Sequence, residues 1–346
     1  MQNTINLQLF ANEVQTTLLS GLSPEMKTYY DMSLIDEASA NLVHDQFGQK
    51  RPIPQGGGKT IEFRKFAPLA KATTPLTEGV TPDGKSLNVS KVEATVSQYG
   101  DYITQSDVLE LTALDNTILE ATKLLGRQAG VTLDTIVRNI INAGTNVSYC
   151  PKVSGGTETA VTGRSGLDTT AKLTVKAIQK AVTKLKGQNA PKINGDYVAI
   201  IHPNAAYDLM RDSEWIDAHK YTTSENLYTG EIGKIAGVRF VESTEAKIWN
   251  DSSCPVKTAK SGDTPATYHP VYSTLIIGEG AYGVTEIEGG GLQTIVKQKG
   301  SAGTADPLDQ RSSVGWKAIK TAELLVQNYM VRIESCSADW DDAAAN

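Results

Sequence analysis

Two glycine-rich motifs are the residues of this chain most suited to chemistry, because such loops can cradle phosphate groups with their backbone N–H groups. The first is Gly56-Gly57-Gly58-Lys59-Thr60. A phosphate loop also needs a glycine at position 53, which is Ile53, and must follow a strand and open a helix. Here Pro52 and Pro54 precede the motif and an alternating segment follows it. The second is Gly278-Glu279-Gly280-Ala281-Tyr282-Gly283, which has dinucleotide-loop spacing and follows an apolar run. However, Val284-Thr285-Glu286-Ile287 soon meets Gly289-Gly290-Gly291, so no helix offers its N-terminus to a pyrophosphate. A turn between two strands is expected there. His44, His202, His219 and His269 show no metal-binding spacing, and His202 before Pro203 reads as a helix-start residue rather than a base. Cys150, Cys254 and Cys336 are scattered and form neither a CxxC pair nor a zinc pattern. No catalytic residue, cofactor or metal is expected, and a reducing cytosol is the default folding environment.

With no visible chemistry, the elements themselves become the informative feature. Lys59 to Phe66 alternates apolar and polar residues, as a half-exposed strand does, and Val92 to Tyr99 repeats the pattern. Between them lies a stretch poor in core residues, and loops this long are usually functional. Paired as a ribbon, residues 59–75 reach roughly 55 Å at ~3.3 Å per residue. A compact chain of this length has a radius of gyration of about 20 Å. Such a ribbon projects past its own subunit, and a lone two-stranded ribbon is barely stable in water. It needs a partner surface, most simply another copy. The candidate contact residues at its tip are Lys71, Thr74, Thr77, Glu78, Asp83 and Lys85.

The other elements follow from local signals. Ser23-Pro24-Glu25 starts a helix expected to run to about Gln46. Apolar residues from Leu111 to Ile140 recur at spacings of three and four, which predicts a long helix over 115–143 ended by Gly144. Gly126 and Gly130 lie one turn apart inside it, through either close packing of another backbone or simple tolerance. Residues 151–170 are rich in Gly, Ser and Thr, and after them the pattern becomes α/β. Val175, Ile178, Ala181, Val182 and Leu185 form one helical stripe, with Lys172, Lys176, Lys180, Lys184 and Lys186 on the solvated side. Strands are expected at 197–201, 238–241 and 271–277, with a helix opening at His202-Pro203-Asn204. Residues 250–270 are a polar insertion, 316–334 read as a returning strand, and the acidic 339–342 segment as a solvated tail.

Composition bounds the function. The chain has 346 residues, 40% of them hydrophobic and 6% aromatic, a lean core that fits residues spent on arms and interfaces. Its formal net charge of -6 argues against electrostatic nucleic-acid binding, which needs clustered Lys and Arg, but not against enclosing nucleic acid. No signal peptide and no membrane segment is expected.

The order of arm, helix, ribbon, long helix, α/β insertion and returning strand resembles the major capsid proteins of tailed double-stranded DNA bacteriophages. These have the Hong Kong 97-type fold, and the N-four-like group is the most similar. The resemblance is carried by Gly21-Leu22-Ser23-Pro24-Glu25-Met26-Lys27, Asn41-Leu42-Val43-His44, Gln46-Phe47-Gly48-Gln49-Lys50 and Gly57 to Lys65. It continues through Ala72 to Pro82, Gln98-Tyr99-Gly100-Asp101-Tyr102, Asp306 to Arg311 and Gly315-Trp316-Lys317-Ala318. It implies an α+β fold with an N-terminal arm and helix (1–48), an extended E-loop (49–105) and a peripheral domain with its spine helix (106–167). The axial domain (168–311) and a peripheral return strand with the C-terminal tail (312–346) complete it. The implied role is a non-enzymatic shell subunit of the virion that self-assembles into pentamers and hexamers around double-stranded DNA in the bacterial host cytoplasm. Implied partners are other copies, a separate scaffold protein, a portal protein and, as an optional addition, a decoration protein. Some relatives join an E-loop Lys to an Asn of a neighbour; Lys71, Lys85 and Asn328 occupy the corresponding regions, with no activating carboxylate placed beside them. Two alternatives are an encapsulin-type compartment and a nucleotide-binding α/β enzyme.

Overall fold

The computed structural model describes residues 34, 37–38, 42–66, 69, 71–76, 78–81, 83–112, 117–219, 233–257, 267–301 and 306–346. Its elements in chain order begin with β1 (Gln49–Lys50), β2 (Thr60–Phe66), β3 (Val89–Thr95), β4 (Ser97–Ser106), α1 (Asp107–Thr112) and α2 (Thr117–Asn142). They continue with β5 (Val147–Tyr149), β6 (Lys152–Ser154), β7 (Thr157–Thr159), α3 (Val175–Gly187), β8 (Tyr197–Ile201), α4 (Pro203–Met210) and α5 (Ser213–His219). The rest are β9 (Lys234–Ile235), β10 (Val238–Glu242), β11 (Ile248–Trp249), β12 (Val271–Ile277), β13 (Tyr282–Glu286), β14 (Gln293–Lys297), β15 (Arg311–Leu324) and β16 (Met330–Ser335). The chain divides into one compact unit of Met1–Asn41, Gln98–Gly130 and Leu292–Ala318, and a second of Leu42–Ser97, Val131–Gly291 and Ile319–Asn346.

In the second unit, seven strands form one sheet in the order β5-β16-β12-β8-β10-β9, with β11 paired to β12. Successive residues of its central strands belong to two cores. Ala199, Ile201, Ile276, Val331 and Ile333 join the core that contains the α3 stripe Val175, Ile178, Ala181, Val182 and Leu185. Ile200, Leu275, Ile277 and Met330 join the other, with Val137 and Ile141 of α2. A sheet covered on both faces has no polar side, which is why β8 reads Tyr-Val-Ala-Ile-Ile without alternation. α3 starts at Thr174, whose hydroxyl accepts from the Ala177 N–H; α4 starts at His202, as the sequence led us to expect, with its Nδ1 accepting from the Asn204 N–H. All three cysteines are free and buried; burial pushes the Cys150 thiol up to about 12, so it stays protonated and unreactive.

A buried charge cluster closes this core. Glu334 is fully buried and receives Arg164 Nε and Nη2, each at 2.8 Å, and Arg332 Nε at 2.9 Å. The Trp249 ring has the Arg164 guanidinium carbon 3.7 Å and that of Arg332 5.2 Å from its centroid. Arg332 also donates to the carbonyls of Asn142 and Gly144, satisfying orphan acceptors at the α2 C-terminus. Burial pulls both guanidinium pKa values down; at Arg164 the hydrogen bonds and charge of Glu334 outweigh it, and at Arg332 they do not.

In the first unit, α2 supplies Gly126 and Gly130. A Cβ on Gly126 would lie 2.8 Å from the Leu34 carbonyl oxygen, and one on Gly130 would lie 3.0 Å from the Ala38 Cα. Close approach of another helical backbone, rather than tolerance, accounts for both glycines. The sheet here has β15 paired with both β14 and β4.

Several expectations are corrected. The helix from Ser23 does not reach Gln46, because His44 to Phe47 form a turn. The Asp134 carboxylate takes the N–H groups of Val43 (2.9 Å) and His44 (2.7 Å), and His44 Nδ1 at 2.6 Å, which removes those donors from a helical ladder. The start of that helix lies outside the described residues. Asn328 sits in a 3-10 turn, Gln327–Tyr329, between two strands rather than in one. The 339–342 segment is solvated as expected, with Asp339, Trp340 and Asp342 exposed, but it is also tethered: Asp341 meets His269 Nδ1 at 2.6 Å and Lys257 at 3.3 Å, Asp339 meets Lys172 at 3.2 Å, and the Trp340 carbonyl accepts from Tyr272. Among the lysines beside α3, Lys176 stays exposed as expected while pairing with Glu158, and the half-buried Lys172 pairs with Asp208. Residues 258–266 of the polar insertion lie outside the described residues.

Candidate assembly surface

The ribbon forms, but its second strand is displaced from the expected 92–99: β2 and β3 pair antiparallel from Thr60↔Thr95 to Phe66↔Val89 as a two-stranded sheet of their own, and residues 97–99 belong instead to β4. Its two faces differ. On one, Ile61 lies across from Ala94 and Phe63 across from Val92, with Phe63 and Ala94 buried. On the other, Glu62 stands directly opposite Glu93, a repulsive pairing that Lys91 relieves by meeting both, at 3.1 and 2.6 Å. Those two hydrogen bonds, to Glu93 and then Glu62, hold the Lys91 pKa above its usual value.

The ribbon root is not free-standing, which corrects the picture of an arm with no packing in its own chain. Phe63 lies against β13 at Gly283, where a Cβ would sit 2.8 Å from the ring. That contact also explains the last glycine of the Gly278–Gly283 motif, whose Gly280 makes a left-handed turn (φ +72°) between β12 and β13. Neither glycine motif opens a helix: Gly56–Gly58 lie in a turn that leads directly into β2. The nucleotide-binding contexts therefore fail as the sequence suggested.

Beyond the root, every described residue from Lys71 to Ser90 is exposed. Lys71, Thr74, Glu78, Asp83 and Lys85 all fall in this segment, and Thr77 lies outside the described residues. The same segment exposes apolar side chains that the sequence reading passed over: Leu76 at 77%, Val80 at 63% and Leu87 at 68%. The available signal was three large apolar residues in an otherwise polar loop. Such groups carry an unmet hydrophobic driving force of about 1.5–3 kcal/mol each on full burial.

The first unit carries a concave surface of its own. Gly100, Asp101, Tyr102, Ile295, Lys297, Ser313, Gly315 and Trp316 line a groove of ≈ 450 Å³ on the sheet of β4, β15 and β14. Gln128 of α2 fixes its wall, donating to Asp101 Oδ2 at 2.7 Å and accepting from the Trp316 indole N–H at 3.3 Å. Tyr102 lies over Gly315, where a Cβ would come 2.7 Å from the tyrosine Cβ. Among the described residues, no group of three or more His, Cys, Asp or Glu could hold a metal, and no helix is long and apolar enough to cross a membrane.

Residues 89–319, which span β3 through most of β15, match the family described as phage capsid protein. This chain belongs to the phage capsid protein family. The capsid protein is similar in structure to the capsid of the cyanophage P-SCSP1u, at 15% identity and a TM-score of 0.61, covering 97% of this chain and 96% of that one. It is also similar to the capsid of Ralstonia phage GP4 (13% identity, TM-score 0.61, 87% and 90% covered). A third is the acid-stable capsid of Helicobacter pylori bacteriophage KHP30 (13% identity, TM-score 0.55, 83% and 88% covered). No curated protein matches the sequence. The α+β Hong Kong 97-type fold expected from the sequence is thus the fold of the capsid protein.

Proposed function

We propose that the capsid protein is the major subunit of an icosahedral phage head, assembling into pentamers and hexamers that enclose double-stranded DNA. The observation that supports this is the ribbon, held at its root by Phe63 and offering only exposed residues beyond it. Exposed apolar groups rimmed by polar ones mark interaction surfaces. Residues 49–105 act as the E-loop, with Lys71, Thr74, Thr77, Glu78, Asp83 and Lys85 at the tip contacting a neighbouring copy. Residues 106–167 with 312–346 form the peripheral domain, and 168–311 the axial domain. Many modest overlaps between copies add through avidity. A net charge of -6 suits a container that must release its contents, since a basic lining would grip DNA. A separate scaffold protein, a portal protein and an optional decoration protein complete assembly in the host cytoplasm, and the subunit catalyses no reaction. The test is electron microscopy of the full chain produced with and without the gene product adjacent to it. Closed shells with five- and six-fold capsomers support the proposal. Small oligomers in both preparations, with nucleotide binding, would replace it with the enzyme alternative.

A further inference from the structure

Two exposed surfaces of this chain each combine apolar side chains with a charge, and the two charges are of opposite sign. The groove on the β4–β15–β14 sheet has apolar walls, with Tyr102 69% and Ile295 37% exposed, and a cation, Lys297, on its lining. Its acid, Asp101, is already engaged by Gln128, and Lys297 has no ion-pair partner among the described residues. In the ribbon, Leu76, Glu78 and Val80 supply the counterpart: two exposed apolar side chains and one exposed carboxylate, Glu78, also without a partner among the described residues. Among the described residues, nothing covers Leu76, Val80 or Tyr102. We propose that the groove of one copy receives Leu76, Glu78 and Val80 of the next copy's ribbon, with Leu76 and Val80 against Tyr102 and Ile295 and Glu78 paired to Lys297. This deepens the capsid reading, on which it rests, by naming the surface that the ribbon meets. A contact between two different patches of identical chains is heterologous, and it closes into rings when the rotation permits, which is the geometry that pentamers and hexamers need.

The experiment uses the full chain as two single-cysteine additions, E78C and K297C, mixed under mild oxidation; the three native cysteines are buried. A cross-linked band of twice the chain mass is expected in the mixture and in neither variant alone. Its absence from the mixture, or its appearance in E78C alone, overturns the proposal. A second arm exchanges the charges. K297E and E78K should each lose assembled particles while keeping the wild-type melting temperature, and the double variant should regain them. Single variants that assemble like wild type overturn the pairing. Shells without the cross-link would remove this contact and leave the capsid reading standing, whereas the cross-link in small rings without shells would do the reverse.

Discussion

Replacing Glu334 by Gln isolates the buried charge cluster as a source of stability. The carboxylate is fully buried and is the shared acceptor of Arg164 and Arg332, whose guanidinium groups also flank Trp249. Neutralising it leaves two like charges beside each other with their chief counter-charge gone. Removing one partner of a buried ion pair costs about 3–5 kcal/mol, mostly from the uncompensated charge left behind. For a chain of this size that corresponds to a fall in melting temperature of roughly 5–10 °C. The assay is calorimetric melting of wild type, E334Q, R164Q and the double variant. Because R164Q removes one of the stranded cations, the double variant should be less destabilised than the sum of the singles by about 1 kcal/mol or more. A shift below about 2 °C in E334Q, or additive effects, would refute the argument that this cluster acts as one unit.

Three further outcomes are expected. Burial holds the His202 pKa below its ordinary value of 6.5, and its neutral Nδ1 caps α4. The stability it contributes is present above 6.5 and lost as pH falls below that value, so H202N should flatten the acid limb of the melting temperature measured from pH 8 to 5. G130V places a side chain into the backbone at Ala38 and should destabilise by about 1–3 kcal/mol in denaturant melts, whereas G56A, open to solvent on that side, should act only through its left-handed backbone. Ala236 sits at φ +54° in the β9–β10 hairpin, where A236N should stabilise by about 0.5–1 kcal/mol, read as a raised denaturant midpoint.

Much of the fold was legible because its signals were local. The α2 periodicity, the α3 stripe, the helix start at His202 and the alternation of β2 each depend on residues within a few positions of one another. The α2 glycines were half legible: the cost of Gly126 and Gly130 implied a reason, but only the backbone of Leu34 and Ala38 supplies it. What stayed hidden depends on distant partners. Asp134 ends a helix some ninety residues earlier in the chain, and Lys257 and His269 tether an acidic segment whose exposure was readable but whose partners were not. The candidate surface followed the same rule. The ribbon was readable from its polar loop, but the groove unites β4, β14 and β15, which lie some two hundred residues apart.

The interleaving of the two units has a consequence for synthesis. One unit draws on Met1–Asn41, Gln98–Gly130 and Leu292–Ala318, so its last piece leaves the ribosome only when most of the chain has been made. At about 5–20 residues per second, its earlier pieces wait on the order of ten seconds or more for β14 and β15. The groove on that sheet does not exist during the wait, although the ribbon has already emerged. Nascent chains on one message would thus carry an exposed ribbon with no finished counterpart on their neighbours, and association would be deferred until translation is nearly over.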